Sequence, residues 1–149
     1  DGDAVAQPKN VIVPIGARIC DVIEFCGGYK QEPRKILMGG PMMGRAIVSD
    51  EMPVVKNNNA ILAFSKEKAA VKEETACINC GRCHRACPFG LIPTALAKAY
   101  EAKDAQALSD LQVMQCMECG SCSYICPARR PLSFMNKLGK AIVKEAGIK

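Results

Sequence analysis

Short apolar runs rich in β-branched residues recur through the first part of the chain, and Gly, Pro or Asn bounds most of them. Runs of this length and composition predict strands. We place strands at residues 11–13, 35–38 and 60–64, and shorter extended pieces at 46–48 and 52–55. Residues 57–59 are three asparagines and predict a turn.

One helix interrupts these strands. Apolar residues recur at helical spacing between residues 17 and 26, and two glycines follow as a typical helix end. They are Ile19, Val22, Ile23 and Cys26. A strand, a helix and several short strands within residues 1–70 predict a small α+β module.

The pattern changes after a charged boundary segment at residues 65–76. Residues 94–102 and 104–114 are dominated by good helix formers such as Ala, Leu and Lys. Residues 132–146 predict a third helix that stops at Gly147. Its expected apolar stripe is Leu132, Met135, Leu138, Ile142 and Val143. The second module, residues 71–149, is therefore predicted to be helical.

Eight of the ten cysteines form two copies of the motif C-x2-C-x2-C-x3-C-P. Every cysteine recurs at the same offset, from Cys77 to Cys116, for example, which is 116 − 77 = 39 residues. This spacing is typical of chains that hold two [4Fe–4S] clusters, in which the fourth cysteine of each motif binds the other cluster.

The motif therefore predicts two sets of ligands that cross between the copies. One set is Cys77, Cys80, Cys83 and Cys126, and the other is Cys116, Cys119, Cys122 and Cys87. Gly81 and Gly120 follow the second cysteine of each copy, where we expect a crowded backbone with φ > 0. Pro88 and Pro127 are expected to begin helices.

Two other functions of the eight cysteines, zinc binding and disulfide formation, have less support from the sequence. Zinc sites usually combine two C-x2-C pairs and do not end in Cys-Pro. A disulfide framework favours oxidising compartments, and no signal peptide is visible. Eight reduced thiolates instead favour the cytosol.

The net charge of the chain says little about its partners once the charge of the clusters is included. The formal net charge is +5. Eight thiolates add −8 and two oxidised clusters return about +4, so the loaded chain is near +1, which weakens an argument for nucleic-acid binding. No apolar run approaches the roughly 20 residues of a membrane-spanning helix.

No catalytic residues are predicted. The chain has one histidine, His84, and no arrangement of a nucleophile with a base. Cys20 and Cys26 are six residues apart on one helix, so we expect separate, inert thiols. Arg82, Arg85, Arg129 and Arg130 flank the motifs and form either a solvated face or a docking surface for a redox partner.

Three further stretches carry a resemblance to a known family. They are Ile36-Leu37-Met38-Gly39-Gly40-Pro41-Met42-Met43-Gly44, Pro53-Val54-Val55-Lys56-Asn57 and Ala60-Ile61-Leu62-Ala63, followed by the two cysteine motifs. Together they resemble the C-terminal half of the C subunit of the Rnf electron-transport complex, an ion-translocating ferredoxin:NAD oxidoreductase.

The resemblance implies a β-grasp module of the soluble-ligand-binding (SLBB) kind at residues 1–70 and an α-helical dicluster ferredoxin module at 71–149. It also implies partners, namely other Rnf subunits and a redox protein such as ferredoxin, and a peripheral place on the cytoplasmic face of the bacterial inner membrane. FMN and NADH are expected only on an upstream domain that this chain does not contain.

Two alternatives to a role as an Rnf electron-transport subunit stay open at this point. The related iron–sulfur cobalamin reductase of bacterial microcompartments shares the same layout. A binding module whose clusters are purely structural is the alternative from a different class.

Overall fold

Strand β1 (Lys35–Met38) is the middle of a three-stranded antiparallel sheet with the order β2-β1-β3. Strand β2 is Arg45–Ile47 and strand β3 is Ile61–Phe64. The structure is a computed structural model that describes residues 1–71 and 73–148. The strands predicted at 35–38 and 60–64 are confirmed, and the piece predicted at 46–48 forms β2 one residue earlier.

Helix α1 (Ile19–Phe25) supplies one side of the core of the first unit, residues 1–71. Ile19, Val22 and Ile23 are buried and pack with residues from the amino-terminal segment and from β3. Two left-handed glycines end the helix, with φ of +84° at Gly27 and +79° at Gly28. The predicted helix is therefore confirmed, although it is shorter than the range 17–26. The β-grasp topology stays a prediction.

Two predicted extended pieces are not strands of this sheet. Residues 11–13 are irregular, with Val11 and Val13 packed on the core and Ile12 fully exposed. Pro14 follows and has no N–H to continue a ladder. Residues 52–55 pair instead with the segment before α1, where the N–H of Val54 donates to the Ala17 carbonyl at 2.8 Å.

A short helix α2 (Lys66–Ala69) closes the first unit. The hydroxyl of its N-cap Ser65 accepts from the Lys68 N–H and donates to the carboxylate of Asp3 at 2.5 Å. Within the described part of the charged boundary segment at 65–76, the helix has four residues.

The second unit, residues 72–149, is built from helices. They are α3 (Arg82–Arg85), α4 (Pro93–Glu101), α5 (Ala105–Asp110), a 3-10 turn (Val113–Gln115), α6 (Ser121–Tyr124) and α7 (Leu132–Glu145). The described residues include no helix long and apolar enough to cross a membrane.

The helix predicted over 104–114 is wrong in its second half. The side chain of Asp104 caps α5 by accepting the Ala107 N–H at 2.9 Å. The helix ends at Asp110, and Gln112 takes a left-handed φ of +58° before the 3-10 turn. Pro88 and Pro127 likewise lie in turns and do not begin helices.

Helix α7 buries part of the predicted stripe, namely Leu132 and Val143, together with two residues that were not predicted. Its buried residues are Leu132, Asn136, Gly139 and Val143, spaced by four, three and four. Leu138 is only partly buried. The prediction missed Asn136 and Gly139 because it counted only large apolar side chains. A Cβ at Gly139 would lie 3.0 Å from the Leu108 side chain, so close helix packing favours glycine there.

The apolar core of the second unit is divided into two clusters. The larger one is centred on Leu96, Leu108, Val113 and Val143, and Cys87 and Cys116 pack against it. The smaller one contains Cys83, Ala97, Cys122 and Leu132, with Cys126 beside it. Cysteines of both motifs therefore lie where aliphatic side chains would otherwise fill the core.

Candidate metal centre

Two cavities of similar size lie in the second unit, and we call them cavity A and cavity B. Cavity A holds about 340 Å³ of atom-free space, part of which is open to solvent. It is lined by Cys87, Cys116, Cys119 and Cys122, together with Pro88, Phe89, Leu91, Pro93, Met117, Gly120, Ser121, Ser133 and Asn136. Three of these cysteines come from the second motif and one from the first.

Cavity B holds about 320 Å³ of atom-free space, part of which is also open to solvent. It is lined by Cys77, Cys80, Cys83 and Cys126, together with Ile78, Gly81, Thr94, Pro127, Ala128, Arg130 and Leu132. Here three cysteines come from the first motif and one from the second.

The structure thus brings the eight motif cysteines together as two groups of four, each with one cysteine from the other copy. Within each group the sulfurs surround a space. Across residues 1–71 and 73–148, no three His, Cys, Asp or Glu side chains converge closely enough to bind one metal ion between them. Four soft thiolate donors around each of two cavities of similar volume are a donor set that fits a four-iron cluster.

Both cysteine loops bend at the same two positions around their second cysteine. In the first loop Asn79 and Gly81 have φ of +53° and +70°, and in the second Glu118 and Gly120 have +58° and +81°. The left-handed glycines confirm the expected role of Gly81 and Gly120. Alternating backbone signs of this kind turn successive N–H groups towards one concavity, which favours an anion.

Hydrogen-bond donors reach the sulfurs in both loops. The N–H of Asn79 donates to Cys77 Sγ at 3.5 Å. The Ser121 side chain, and then the Ser121 backbone, lower the pKa of the Cys119 thiol, and the hydroxyl lies 3.3 Å from Cys119 Sγ. These donors favour the thiolate, which is the form that binds metal.

Burial acts in the other direction on the third cysteine of each loop. It raises the pKa of Cys83, and it raises the pKa of Cys122 to about 11. Metal binding must displace the protons that these buried thiols hold, because the thiolate is the ligand.

Polar side chains from the C-terminal helix approach cavity A. The Asn136 amide N–H donates to Cys116 Sγ at 3.6 Å, and the Asn136 side chain is only 1% exposed. Lys140 Nζ donates to the Cys116 carbonyl and lies 2.9 Å from a carboxylate oxygen of Glu118. The lysine therefore already has an anionic partner.

Arg130 is the charged residue that lines cavity B. The Arg130 guanidinium pairs with Glu74 at 2.9 Å and also with Glu101, and its side chain is 13% exposed. The hydrogen bond to Glu74, followed by the contact with Glu101, raises the pKa of Arg130.

The other predicted features are more ordinary. Arg82, Arg85 and Arg129 are exposed, whereas Arg130 is partly buried. Among the described residues, Arg130 is the one of these four arginines that pairs with two carboxylates. His84 is exposed, and its Nδ1 lies 2.9 Å from the Leu91 carbonyl. Sequence reasoning did not single out Asn136, although a polar residue inside an apolar stripe was a visible signal.

Two family models match the chain. Residues 69–127 match a 4Fe-4S dicluster domain, and residues 1–46 match an SLBB domain. The chain is therefore an iron–sulfur protein that joins an SLBB domain to a 4Fe–4S dicluster domain.

Curated relatives narrow this class. The chain is 46% identical over 96 residues to the C subunit of the proton-translocating ferredoxin:NAD(+) oxidoreductase complex of Clostridium ljungdahlii, a match that covers 64% of this chain and 21% of the relative. It is 41% identical over 141 residues to the C subunit of the ion-translocating oxidoreductase complex of Rhodobacter capsulatus, covering 93% of this chain and 27% of the relative. With the same-named protein of Methanosarcina acetivorans the identity is 48% over 94 residues, covering 63% and 21%.

The chain is a homologue of part of the C subunit of the Rnf-type ion-translocating oxidoreductases, and the resemblance predicted from residues 36–44 and the paired motifs is confirmed. It spans about a quarter of the length of these relatives. The dicluster domain and the relatives together support a role in electron transfer.

Proposed function

We propose that this chain relays single electrons through two [4Fe–4S] clusters, one in cavity A and one in cavity B, within a larger protein that works in an Rnf-type complex. The observation that carries the proposal is the arrangement of the eight motif cysteines around two cavities of similar volume, four to each. A four-iron cluster requires four thiolates, and each cavity offers that number.

The proposed ligands of the cluster in cavity A are Cys116, Cys119, Cys122 and Cys87. Those of the cluster in cavity B are Cys77, Cys80, Cys83 and Cys126. Cys87 and Cys126 are the crossing ligands, and each follows its own loop by one short helix, α3 or α6. With four cysteines on each cluster, no iron position is left for a substrate, so the proposed chemistry is electron transfer alone.

When bound, a [4Fe–4S] cluster takes up and releases one electron. The residues of the chain determine how easily this happens. The Asn79 N–H donates to Cys77 Sγ, and the Ser121 side chain and backbone favour the thiolate of Cys119, since they lower its pKa. The apolar core that contains both third cysteines excludes water. Hydrogen bonds to sulfur and exclusion of solvent are two of the means by which proteins set cluster potentials.

The names of the relatives suggest where the electrons come from and go to. We propose that the chain exchanges electrons with other subunits of the complex and with a ferredoxin-like redox protein, on the way between ferredoxin and NAD. FMN and NADH would bind to a part of the protein outside these 149 residues. The proposed location is the cytoplasmic face of the inner membrane, with contact to membrane subunits.

Iron analysis and a redox titration test the relay. The chain is prepared anaerobically, and we expect about eight iron atoms and eight sulfides per chain. Titration with dithionite, followed by EPR, should give two reversible one-electron signals. A matched control is Cys20→Ser, which changes a cysteine outside the motifs and should keep the full iron content.

Two results would overturn the proposal. A colourless, iron-free and folded anaerobic preparation would exclude the clusters. Clusters that are present but that dithionite and stronger reductants leave oxidised would indicate a purely structural role.

A further inference from the structure

Asn136 lies on the buried stripe of α7, where apolar side chains would be expected. It is 1% exposed and, with Ser65 of the first unit, it is one of two buried polar side chains among the described residues. Its Oδ1 has no hydrogen-bond partner in the described part of the chain. An unsatisfied buried polar atom lowers the stability of the fold. Packing alone therefore does not explain an asparagine at this position.

The nitrogen of the same amide contacts a cysteine sulfur. The amide N–H of Asn136 donates to Cys116 Sγ at 3.6 Å, and Asn136 lines cavity A. Hydrogen bonds to charged acceptors are stronger than neutral ones, so the bond gains most when Cys116 is a thiolate. The reverse orientation of the amide would place an oxygen lone pair against the sulfur, so the sulfur itself selects the N–H.

Cavity B has no equivalent buried donor in the part of the chain that the structure describes. The nearest counterpart is Asn79, whose side-chain oxygen lies 3.6 Å from Cys77 Sγ. Asn79 is exposed, and water competes with its amide. Lys140, the cation nearest Cys116, bonds to the backbone carbonyl and to Glu118 and not to the sulfur.

We propose that Asn136 is a buried hydrogen-bond donor to the Cys116 thiolate that raises the reduction potential of the cluster in cavity A above the value it would otherwise have. Reduction adds one electron to a cluster that is already anionic with its four thiolates. A donor at the sulfur stabilises the reduced state more than the oxidised one, because it interacts with the larger negative charge. This inference rests on the proposed function, since it requires clusters in the two cavities.

The test is an EPR-monitored redox titration of the anaerobically loaded chain carrying Asn136→Leu, which keeps the branched shape of the side chain, is somewhat larger and removes the donor. We expect the reduction equilibrium constant of one cluster to fall about fivefold, which is about 40 mV at 59 mV per tenfold change for one electron. The other cluster should keep its potential. The signal that Cys87→Ala removes identifies the cluster of cavity A.

Two variants control for side effects. Leu138→Ala shortens a partly buried side chain on the same helix, two residues away, and should leave both potentials unchanged. Asn79→Gly removes the exposed amide at a backbone φ of +53° that glycine tolerates, and should leave the potential of cavity A unchanged. A shift of the cavity A potential in Leu138→Ala as large as that in Asn136→Leu would assign the effect to the helix and overturn the role of the amide.

Iron content separates the possible failures. A wild-type chain without iron contradicts the proposed function, whereas full iron with an unchanged potential in Asn136→Leu contradicts only the role of Asn136. If Asn136→Leu loses iron, asparagine labelled with ¹⁵N in its side-chain amide is introduced into the Asn79→Gly chain. A hyperfine coupling between that nitrogen and the reduced cluster supports the inference, and its absence overturns it.

Discussion

The two cysteine loops have the same spacing and the same backbone bends, yet their cavities differ in what surrounds the sulfurs. Every cysteine of cavity A is buried or partly buried, and a buried amide, Asn136, reaches one of them. In cavity B Cys80 is exposed, and the polar neighbour is Arg130. On the proposed function, the duplicated motif determines how each cluster is bound, while residues outside the motif determine how each cluster behaves.

The largest expected effect tests the crossing of the fourth cysteines. In Cys87→Ala we expect loss of the cluster in cavity A, with about half of the iron, because Cys116, Cys119 and Cys122 lose their fourth partner. The signal of cavity B should remain. Iron analysis and EPR of the anaerobic protein measure both outcomes.

The matched variant is Cys126→Ala, which should do the reverse and spare the cluster of cavity A. If each variant instead destroyed the cluster of its own loop, the crossed assignment would be wrong and each motif would bind its own cluster.

The second prediction concerns the difference in exposure. On controlled exposure to air, we expect the cluster of cavity B to be lost several-fold faster than that of cavity A, because oxygen reaches the exposed Cys80, whereas every cysteine of cavity A is at least partly buried. A time course of the two EPR signals after re-reduction measures the two rates. Equal rates, or faster loss from cavity A, would show that side-chain exposure does not govern the lability of these clusters.

The third prediction concerns the core behind cavity A. Leu108 is fully buried in the cluster against which Cys87 and Cys116 pack. Leu108→Ala should lower the free energy of unfolding by about 2–5 kcal/mol. Anaerobic urea unfolding of the loaded chain measures it, and the cluster of cavity A should be released at lower urea than that of cavity B.

Met114→Ala is the matched control for this substitution, because Met114 is 47% exposed in the same region. Its effect should stay within about 0.5 kcal/mol. A comparable loss in both variants would mean that the two positions do not differ in packing.

The smallest expected effect concerns Arg130 beside cavity B. Arg130→Gln removes its ion pairs with Glu74 and Glu101, but both carboxylates are nearly half exposed and regain water. We therefore expect a loss of about 1 kcal/mol in the free energy of unfolding. Arg82→Gln, in the same unit but outside these ion pairs, should change the free energy of unfolding by less. Equal effects of the two substitutions would show that the ion pairs of Arg130 do not stabilise the unit.

Some elements of the fold were predicted well because the local pattern of apolar and polar residues specifies them. The strand at 35–38, the helix before Gly27 and the helix from Leu132 each have a clear period and a clear stop. The eight candidate ligands follow from spacing alone. The β-grasp topology and the assignment of ligands to clusters stay predictions.

Other parts depended on contacts between distant residues. The apolar run at 11–13 has strand composition but no partner in the sheet, and residues 52–55 pair with the segment before α1. The helix over 104–114 breaks at Gln112 although its composition favours a helix. Propensity is a weak indicator in such short segments, because packing against the rest of the unit overrides it.

The sequence by itself determined the donor chemistry of this protein, since soft thiolates repeated at a fixed spacing specify an iron–sulfur site whatever surrounds them. Only the tertiary structure decided which polar groups reach those sulfurs. Asn136 lies 20 residues along the chain from Cys116, and Arg130 lies 56 from Glu74. Packing of helices, and not local spacing, brings such residues together, and no short-range pattern in the chain encodes that distance.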